Sequence, residues 1–199
     1  MKALIRPAVS LFVVLTVVTG VLYPLVVTGV AKAAFPQQAA GSLVVQNGKT
    51  VGSSLIGQNF AGETYFHGRP SATSDTDPAD STKTVPAPYN AANSAGSNAG
   101  PTAKSLEERV RGDAEKLAAE NPGAAVPIDL ITTSASGLDP DISPAAALFQ
   151  VPRVAKVRSL PEDRVRQLVT EHIKGRLLGL LGEPRVNVLQ LNLALDATQ

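Results

Sequence analysis

The chain has 199 residues, with 18 basic and 17 acidic side chains, no cysteine and only 4% aromatic residues. That composition excludes disulfides, structural zinc–thiolate centres and c-type haem attachment, and it carries no nucleic-acid footprint. Charge is unevenly placed: Lys2, Arg6 and Lys32 are the only charged residues among the first 34, so the remaining 165 hold 15 basic against 17 acidic.

Pro7 through Ala31 contains no charged residue and is dominated by Val, Leu and Ala. As a helix it is roughly 37 Å long at 1.5 Å per residue, enough to cross a ~30 Å hydrocarbon core with some tilt. A helix also satisfies its own backbone hydrogen bonds in lipid. Ala31-Lys32-Ala33 has the A-x-A pattern of a signal cleavage site. A signal h-region is only about 7–15 residues, however, and this run is much longer. The spacing therefore predicts a retained transmembrane helix over 7–31. Lys2 and Arg6 hold residues 1–6 in the cytoplasm by the positive-inside rule, which sends 35–199 outside. Thr16, Gly20, Pro24 and Thr28 recur at spacing four on one face, where small side chains let a partner helix approach. Pro24 has no N–H for the Gly20 carbonyl, so a kink is expected there.

Residues 35–199 are predicted to form one α+β domain with a small sheet. Gly41 to Ile56 reads as a hairpin: Leu43-Val44-Val45 and Val51 to Ile56 flank Asn47-Gly48, the pair that supplies the positive φ angles of a two-residue turn. Tyr65-Phe66-His67-Gly68-Arg69-Pro70 concentrates two aromatics, a histidine and an arginine. Ser71 to Thr102 shows no helical or strand periodicity, and such a long structureless segment is either functional or disordered. Within it, Tyr89-Asn90 and Ser94 to Pro101 have the chemistry of ordered turns.

Ser105-Leu106-Glu107-Glu108 reads as a capping box, with Ser105 as N-cap, opening a helix that Asn121-Pro122-Gly123 stops. Val126 to Thr132 has a β-like composition. Ser134 to Pro144 is a dense turn, after which Ser143-Pro144 supplies the N-cap and first residue of the next helix. Pro152 is expected to kink or divide that helix. Pro161 opens a third helix with Val165, Leu168, Val169 and His172 on its core side, ending near Gly175. Val186 to Leu189 reads as a final strand, and the tail beyond it suits either strand or helix.

No catalytic set stands out. There is no G-x-S-x-G elbow and no Walker A loop, and a triad has only His67 or His172 to draw on. Asp75, Asp77 and Asp80, like Asp139 and Asp141, match neither an EF-hand loop nor a zinc spacing and read as solvated acidic turns. No metal site is expected. Ser134-Ala135-Ser136-Gly137 has the small residues of a phosphate-binding loop, but also those of a turn with Gly137 at positive φ.

Five strings occur together in order: Tyr65 to Ala72, Tyr89-Asn90, Gly96 to Pro101, Ser134 to Pro144, and Gly182-Glu183-Pro184-Arg185-Val186-Asn187-Val188. With the single N-terminal helix, they make nearly the whole chain resemble the C subunit of the bacterial Kdp potassium-transporting P-type ATPase. The resemblance implies an inner-membrane subunit without a catalytic site of its own. It implies assembly with a potassium-conducting A subunit, an ATPase B subunit and a small F subunit. It also implies a catalytic chaperone that raises the ATP affinity of the B subunit, with Ser134 to Gly137 resembling an ABC-type signature loop. Potassium is then the transported ion, and ATP is reached only through the complex.

An outward domain conflicts with direct contact to cytoplasmic ATP. It fits a domain that covers the ion entrance or biases the pump's conformational equilibrium. The partner-facing residues expected are Thr16, Gly20 and Pro24 in the membrane and Tyr65, His67, Arg69 and Asn98 in the outer domain. The signature-like turn adds Ser134, Ser136, Gly137, Asp139 and Asp141. A competing reading, a membrane-anchored protein binding an extracellular ligand alone, is separated by copurification: it would extract without large membrane subunits.

Overall fold

A computed structural model describes residues 2–198. The chain forms two compact units, Met1–Ser53 and Ser54–Gln199. In the first, helix α1 (Lys2–Val17), a π-helical segment (Val18–Leu22) and helix α2 (Tyr23–Ala34) follow one another without a break in helicity. Its large apolar side chains are all exposed, as a lipid-facing helix requires. Where a kink is expected at Pro24, the helix carries a π segment instead of a break. Pro24 cannot bond the carbonyl of Gly20, and the turn just before it widens to i→i+5 spacing.

A short helix α3 (Pro36–Ala39) leads into strands β1 (Leu43–Gln46) and β2 (Lys49–Ser53). They pair antiparallel around Asn47 and Gly48, at φ 51° and 76°, with an irregularity between Val44 and Val45. The hairpin is as the sequence indicates, but β2 ends at Ser53 rather than at Ile56.

Among the described residues, the second unit is built on four α-helices and a three-stranded antiparallel sheet. Strands β3 (Ser74–Thr76) and β4 (Thr84–Pro86) form a separate hairpin inside the stretch that lacks sequence periodicity. Three-residue strands are too short for alternation to show. Its tip is closed by Asp77 accepting from the Ala79 amide at 2.8 Å and Asp80 from the Thr82 amide at 3.0 Å, so these aspartates act as turn acceptors.

Helix α4 (Lys104–Glu120) starts two residues earlier than the capping box places it. Ala103 is the N-cap, without a side-chain hydrogen bond. Glu108 pairs with Lys104 at 3.6 Å instead of reaching back to a cap. Val126–Thr132 is not a strand: Ile128–Leu130 is a 3₁₀ turn, set by Pro127 and by burial of Leu130.

Strand β5 (Asp141–Ile142) precedes helix α5 (Pro144–Arg158), whose N-cap Ser143 accepts from the Ala146 amide at 3.0 Å. Pro152 does not divide α5. Losing that hydrogen bond costs about 3 kcal/mol. Fully burying Val151 and Val154, at about 1.5–3 kcal/mol each, offsets it. Helix α6 (Glu162–Glu171) is shorter than expected and yields to strand β6 (Ile173–Lys174). Its inward face is Val165, Leu168 and Val169, while His172 is its C-cap, with Nδ1 2.8 Å from the Leu168 carbonyl.

Strand β7 (Arg185–Asn187) lies between β5 and β6. The expected strand over Val186–Leu189 stops at Asn187, because its side chain caps helix α7 (Val188–Asp196) by accepting from the Gln190 amide at 3.1 Å. The open tail is thus helical. Leu191 and Leu195 from α7 join Phe66, Ile142, Val154, Val169 and Val186 in the core.

Candidate functional site

Three loops of the second unit, residues 66–73, 87–98 and 132–143, are joined by polar contacts rather than by apolar burial. Arg69 projects from the first. Its Nη1 lies 3.2 Å from Asp139 Oδ2, its Nη2 3.3 Å from the Thr133 carbonyl, and both Nε and Nη2 3.4 Å from the Thr132 carbonyl. Each contact is at the long end of hydrogen-bond range, so the guanidinium holds the third loop by number of bonds.

Tyr89, from the second loop, sits in the left-handed region at φ 61° and donates its hydroxyl to the Arg69 carbonyl at 2.7 Å. Burial, and then the Asp139 charge, push the phenol up to about 12, so it remains a donor at neutral pH. The ring explains two glycines. A Cβ at Gly57 would come within 2.5 Å of Tyr89 Cε1 and 2.6 Å of the Asp139 carbonyl oxygen, and one at Gly68 would collide with the Tyr89 hydroxyl.

The turn Ser134–Gly137 is stapled at several points. The Ser136 carbonyl accepts from the Ala95 amide at 3.0 Å and from Ser94 Oγ at 2.9 Å. The Gly137 carbonyl accepts from Ser71 Oγ at 2.8 Å, and Ser136 Oγ accepts from the Leu138 amide at 3.1 Å. Gly137 has φ 68°, and a Cβ there would lie 2.5 Å from Thr73 Cγ2 and 2.6 Å from the Ala95 carbonyl oxygen. Ser134 is buried. Ser71 and Thr73 tie this turn to the second loop: Ser71 Oγ accepts from the Tyr89 amide at 3.0 Å, and Thr73 Oγ1 donates to the Ala87 carbonyl at 2.6 Å.

Asp139 and Asp141 leave this staple and line a groove of about 520 Å³ together with Arg69, Asp129, Glu183 and Arg185. Its carboxylates are engaged by the chain itself. Asp141 Oδ2 is 3.0 Å from Arg185 Nε, and its Oδ1 accepts from Asn187 Nδ2 at 3.1 Å. Asp139 Oδ1 accepts from the Asp141 amide at 3.1 Å, and Asp129 takes the Ser143 amide at 2.7 Å and its hydroxyl at 3.1 Å. Among the described residues no group of three or more histidine and carboxylate side chains is arranged to hold a metal ion.

The other expected residues fall elsewhere. Asn98 is exposed at φ 50°. Tyr65 lies under the Arg158 guanidinium, 4.9 Å from its ring centroid, and its hydroxyl is 3.4 Å from Asp196 Oδ2. His67 places Nε2 3.0 Å from the Gly62 carbonyl, and burial, followed by the Arg153 charge, lowers its pKa. Residues 66 and 67 are gripped at the backbone. Asn192 accepts from the Phe66 amide at 2.9 Å and donates to its carbonyl at 3.0 Å, while Gln150 does the same for His67 at 2.8 and 3.1 Å. In the first unit Thr16, Gly20 and Pro24 are exposed, and Gly20 lies in the π segment with nothing within 4 Å of where a Cβ would stand.

The structure thus brings Arg69, expected as a partner-facing residue, together with Ser134, Ser136, Gly137, Asp139 and Asp141, expected as a separate turn. It adds Ser71, Thr73, Tyr89, Gln150 and Asn192, which sequence reasoning did not single out as site residues. Tyr89-Asn90 was a visible turn signal. Nothing local marks Asn192 or Gln150 as backbone clamps.

The family model described as "K+-transporting ATPase, c chain" (KdpC) matches residues 5–197. A "Potassium-transporting ATPase KdpC subunit" of Rhodopseudomonas palustris (strain BisB18) is 68% identical over 195 residues, covering 98% of each chain. The subunit of the same name from Methylorubrum extorquens is 69% identical over 191 residues, 96% of this chain and 95% of the relative. That of Bradyrhizobium diazoefficiens is 68% identical over 192 residues, 96% of each. This chain belongs to the KdpC family, the c chain of the potassium-transporting ATPase.

Proposed function

We propose that this subunit is non-catalytic and acts on the pump through its partners, with residues 35–199 on the outer side of the inner membrane. In this reading it assembles with the potassium-conducting A subunit, the ATPase B subunit and the small F subunit. It raises ATP affinity by biasing their conformational equilibrium, without touching nucleotide. The observation that carries the reading is the stapled Ser134–Gly137 turn. The Ser136 and Gly137 carbonyls and the Ser136 hydroxyl are spent on residues 71, 94, 95 and 138, and a Cβ at Gly137 has no room. A turn used in this way fixes the shape of a docking surface that Arg69, Tyr89 and the adjoining groove present. The positive charges at Lys2 and Arg6 support the outward orientation.

The test is made in the whole complex. Gly137→Ala and Arg69→Ala are expected to weaken retention of this subunit by the others and to raise the KM for ATP in step with that loss. Supplying excess variant subunit then restores the wild-type KM. A raised KM in complexes that retain the subunit fully, at any subunit excess, contradicts the proposal and points to nucleotide contact. Extraction of the wild-type chain without stoichiometric large subunits would favour the solitary ligand-binding reading.

A further inference from the structure

Eight large hydrophobic residues are exposed among the described part of the second unit, and four of them fall within five positions. Leu177, Leu178, Leu180 and Leu181 are 65%, 84%, 80% and 62% exposed. They form the tip of an excursion between β6 and β7, closed by an antiparallel bridge between Leu177 and Leu181. Nothing within this unit explains an aliphatic cluster there. Leu178 even holds a left-handed φ of 53°, a conformation usually left to glycine or asparagine.

We propose that this leucine tip inserts into the bilayer interface as a second, shallow membrane contact. Three observations favour lipid over a protein groove. First, the tip needs no outside hydrogen-bond partner for most of its backbone. Leu177 donates to the Leu181 carbonyl at 2.8 Å and Leu181 returns the bond at 3.0 Å, while Gly179 and Leu180 donate to Arg176 and Leu177 at 3.1 Å each. Apolar surroundings penalise unmet backbone groups, and a tip that meets four of its five amides internally enters them at low cost.

Second, its apolar and charged parts are sharply divided. No polar side chain interrupts Leu177 to Gly182, whereas Arg176 and Glu183 pair at the base at 2.7 Å. Beside them Arg185 is paired with Asp141, and Lys174 donates to Gln190 with no carboxylate within 4.0 Å among the described residues. Lys174 is thus a cation at the base with no carboxylate partner among the described residues, which suits anionic headgroups. Third, the chain is tied to a membrane by its own helix. From Ala34 to Ser54 it spans at most about 70 Å, so lipid is always at high effective concentration.

The inference rests on the membrane-spanning reading of Ala3–Ala34, and the test separates the two. The chain has no cysteine, so single reporters can be placed by Leu178→Cys, Ser81→Cys and Thr16→Cys in the full-length chain. Each is labelled with an environment-sensitive fluorophore and reconstituted in phosphatidylcholine–phosphatidylglycerol vesicles with or without brominated acyl chains. Bromination is expected to quench the reporter at 178 about two-fold, as for shallow interfacial insertion. It should leave the one at 81 unchanged and quench the one at 16 strongly. Leu180→Ser with Leu181→Ser should abolish quenching at 178 alone.

Quenching at 16 with none at 178 overturns the tip contact and leaves the anchor standing. No quenching at 16 removes both. A reporter at 178 that is shielded only in the assembled ATPase, and never reached by brominated lipid, assigns the tip to a protein partner and also overturns the proposal.

Discussion

Two polar networks hold adjacent parts of one loop in opposite ways. At Phe66 and His67 the backbone is gripped from both sides by Asn192 and Gln150, each buried and each making a paired donor–acceptor contact. From Arg69 to Thr73 the chain is held by many single contacts to two other loops. The Arg69 and Asp139 side chains are 26% and 31% exposed, and Thr73 alone is buried among the contact-making side chains of this stretch. The first arrangement docks the loop onto the helical core, and its loss leaves buried groups unmet. The second fixes surface shape and can be loosened piece by piece. Anchoring of the loop to the core and the shape of its surface are thereby assigned to different residues a few positions apart.

The largest effect is expected at the buried clamp. Asn192→Leu strands the amide and carbonyl of Phe66 and should lower stability by ~3 kcal/mol in thermal or denaturant unfolding of the full chain. Equal stability of the variant would remove the distinction between the networks. Gly137→Ala comes next. Close approach to Thr73 and Ala95 and the φ of 68° should together cost ~2–3 kcal/mol, while the helical content stays intact.

The third effect is on pH dependence. The Tyr89 phenol is raised in the folded chain from 10.0 to about 12, so its contribution is complete below pH 10 and is lost as pH rises toward 12. Roughly 2 kcal/mol should disappear across that window, and Tyr89→Phe should remove the decline. The smallest effect is at His67. Its folded pKa is depressed below 6.5, so its contribution is present above pH 6.5 and fades as pH falls below that value. His67→Gln should flatten this shallow acid limb in the same melts.

What the sequence made legible was local. The apolar run, the Asn47-Gly48 turn and the Ser143-Pro144 helix start each depend on neighbours within a turn, and each stands in the structure. Arg69, Gly137 and Asp139 could be singled out by composition and turn chemistry. Their convergence depends on contacts across about 70 residues, which no periodicity records. Asn192 was beyond reach for the same reason, since its partner Phe66 lies 126 residues away.

Other expectations failed where tertiary packing outweighed a local rule. Burial of Val151 and Val154 carries α5 through Pro152, and the Lys104–Glu108 pair takes the glutamate that a capping box would use. Asn187 was a readable N-cap ahead of a Leu-rich segment of good helix formers, and weighting it would have given the C-terminal helix.

The most direct test of the account is the side of the membrane on which the stapled loops lie. Ser97 is exposed next to them, and the chain has no native cysteine to confuse labelling. With Ser97→Cys in the intact complex, a membrane-impermeant maleimide added to whole cells should label the subunit fully. Protection until the inner membrane is permeabilised would place the loops beside cytoplasmic ATP and contradict an action exerted through partners alone.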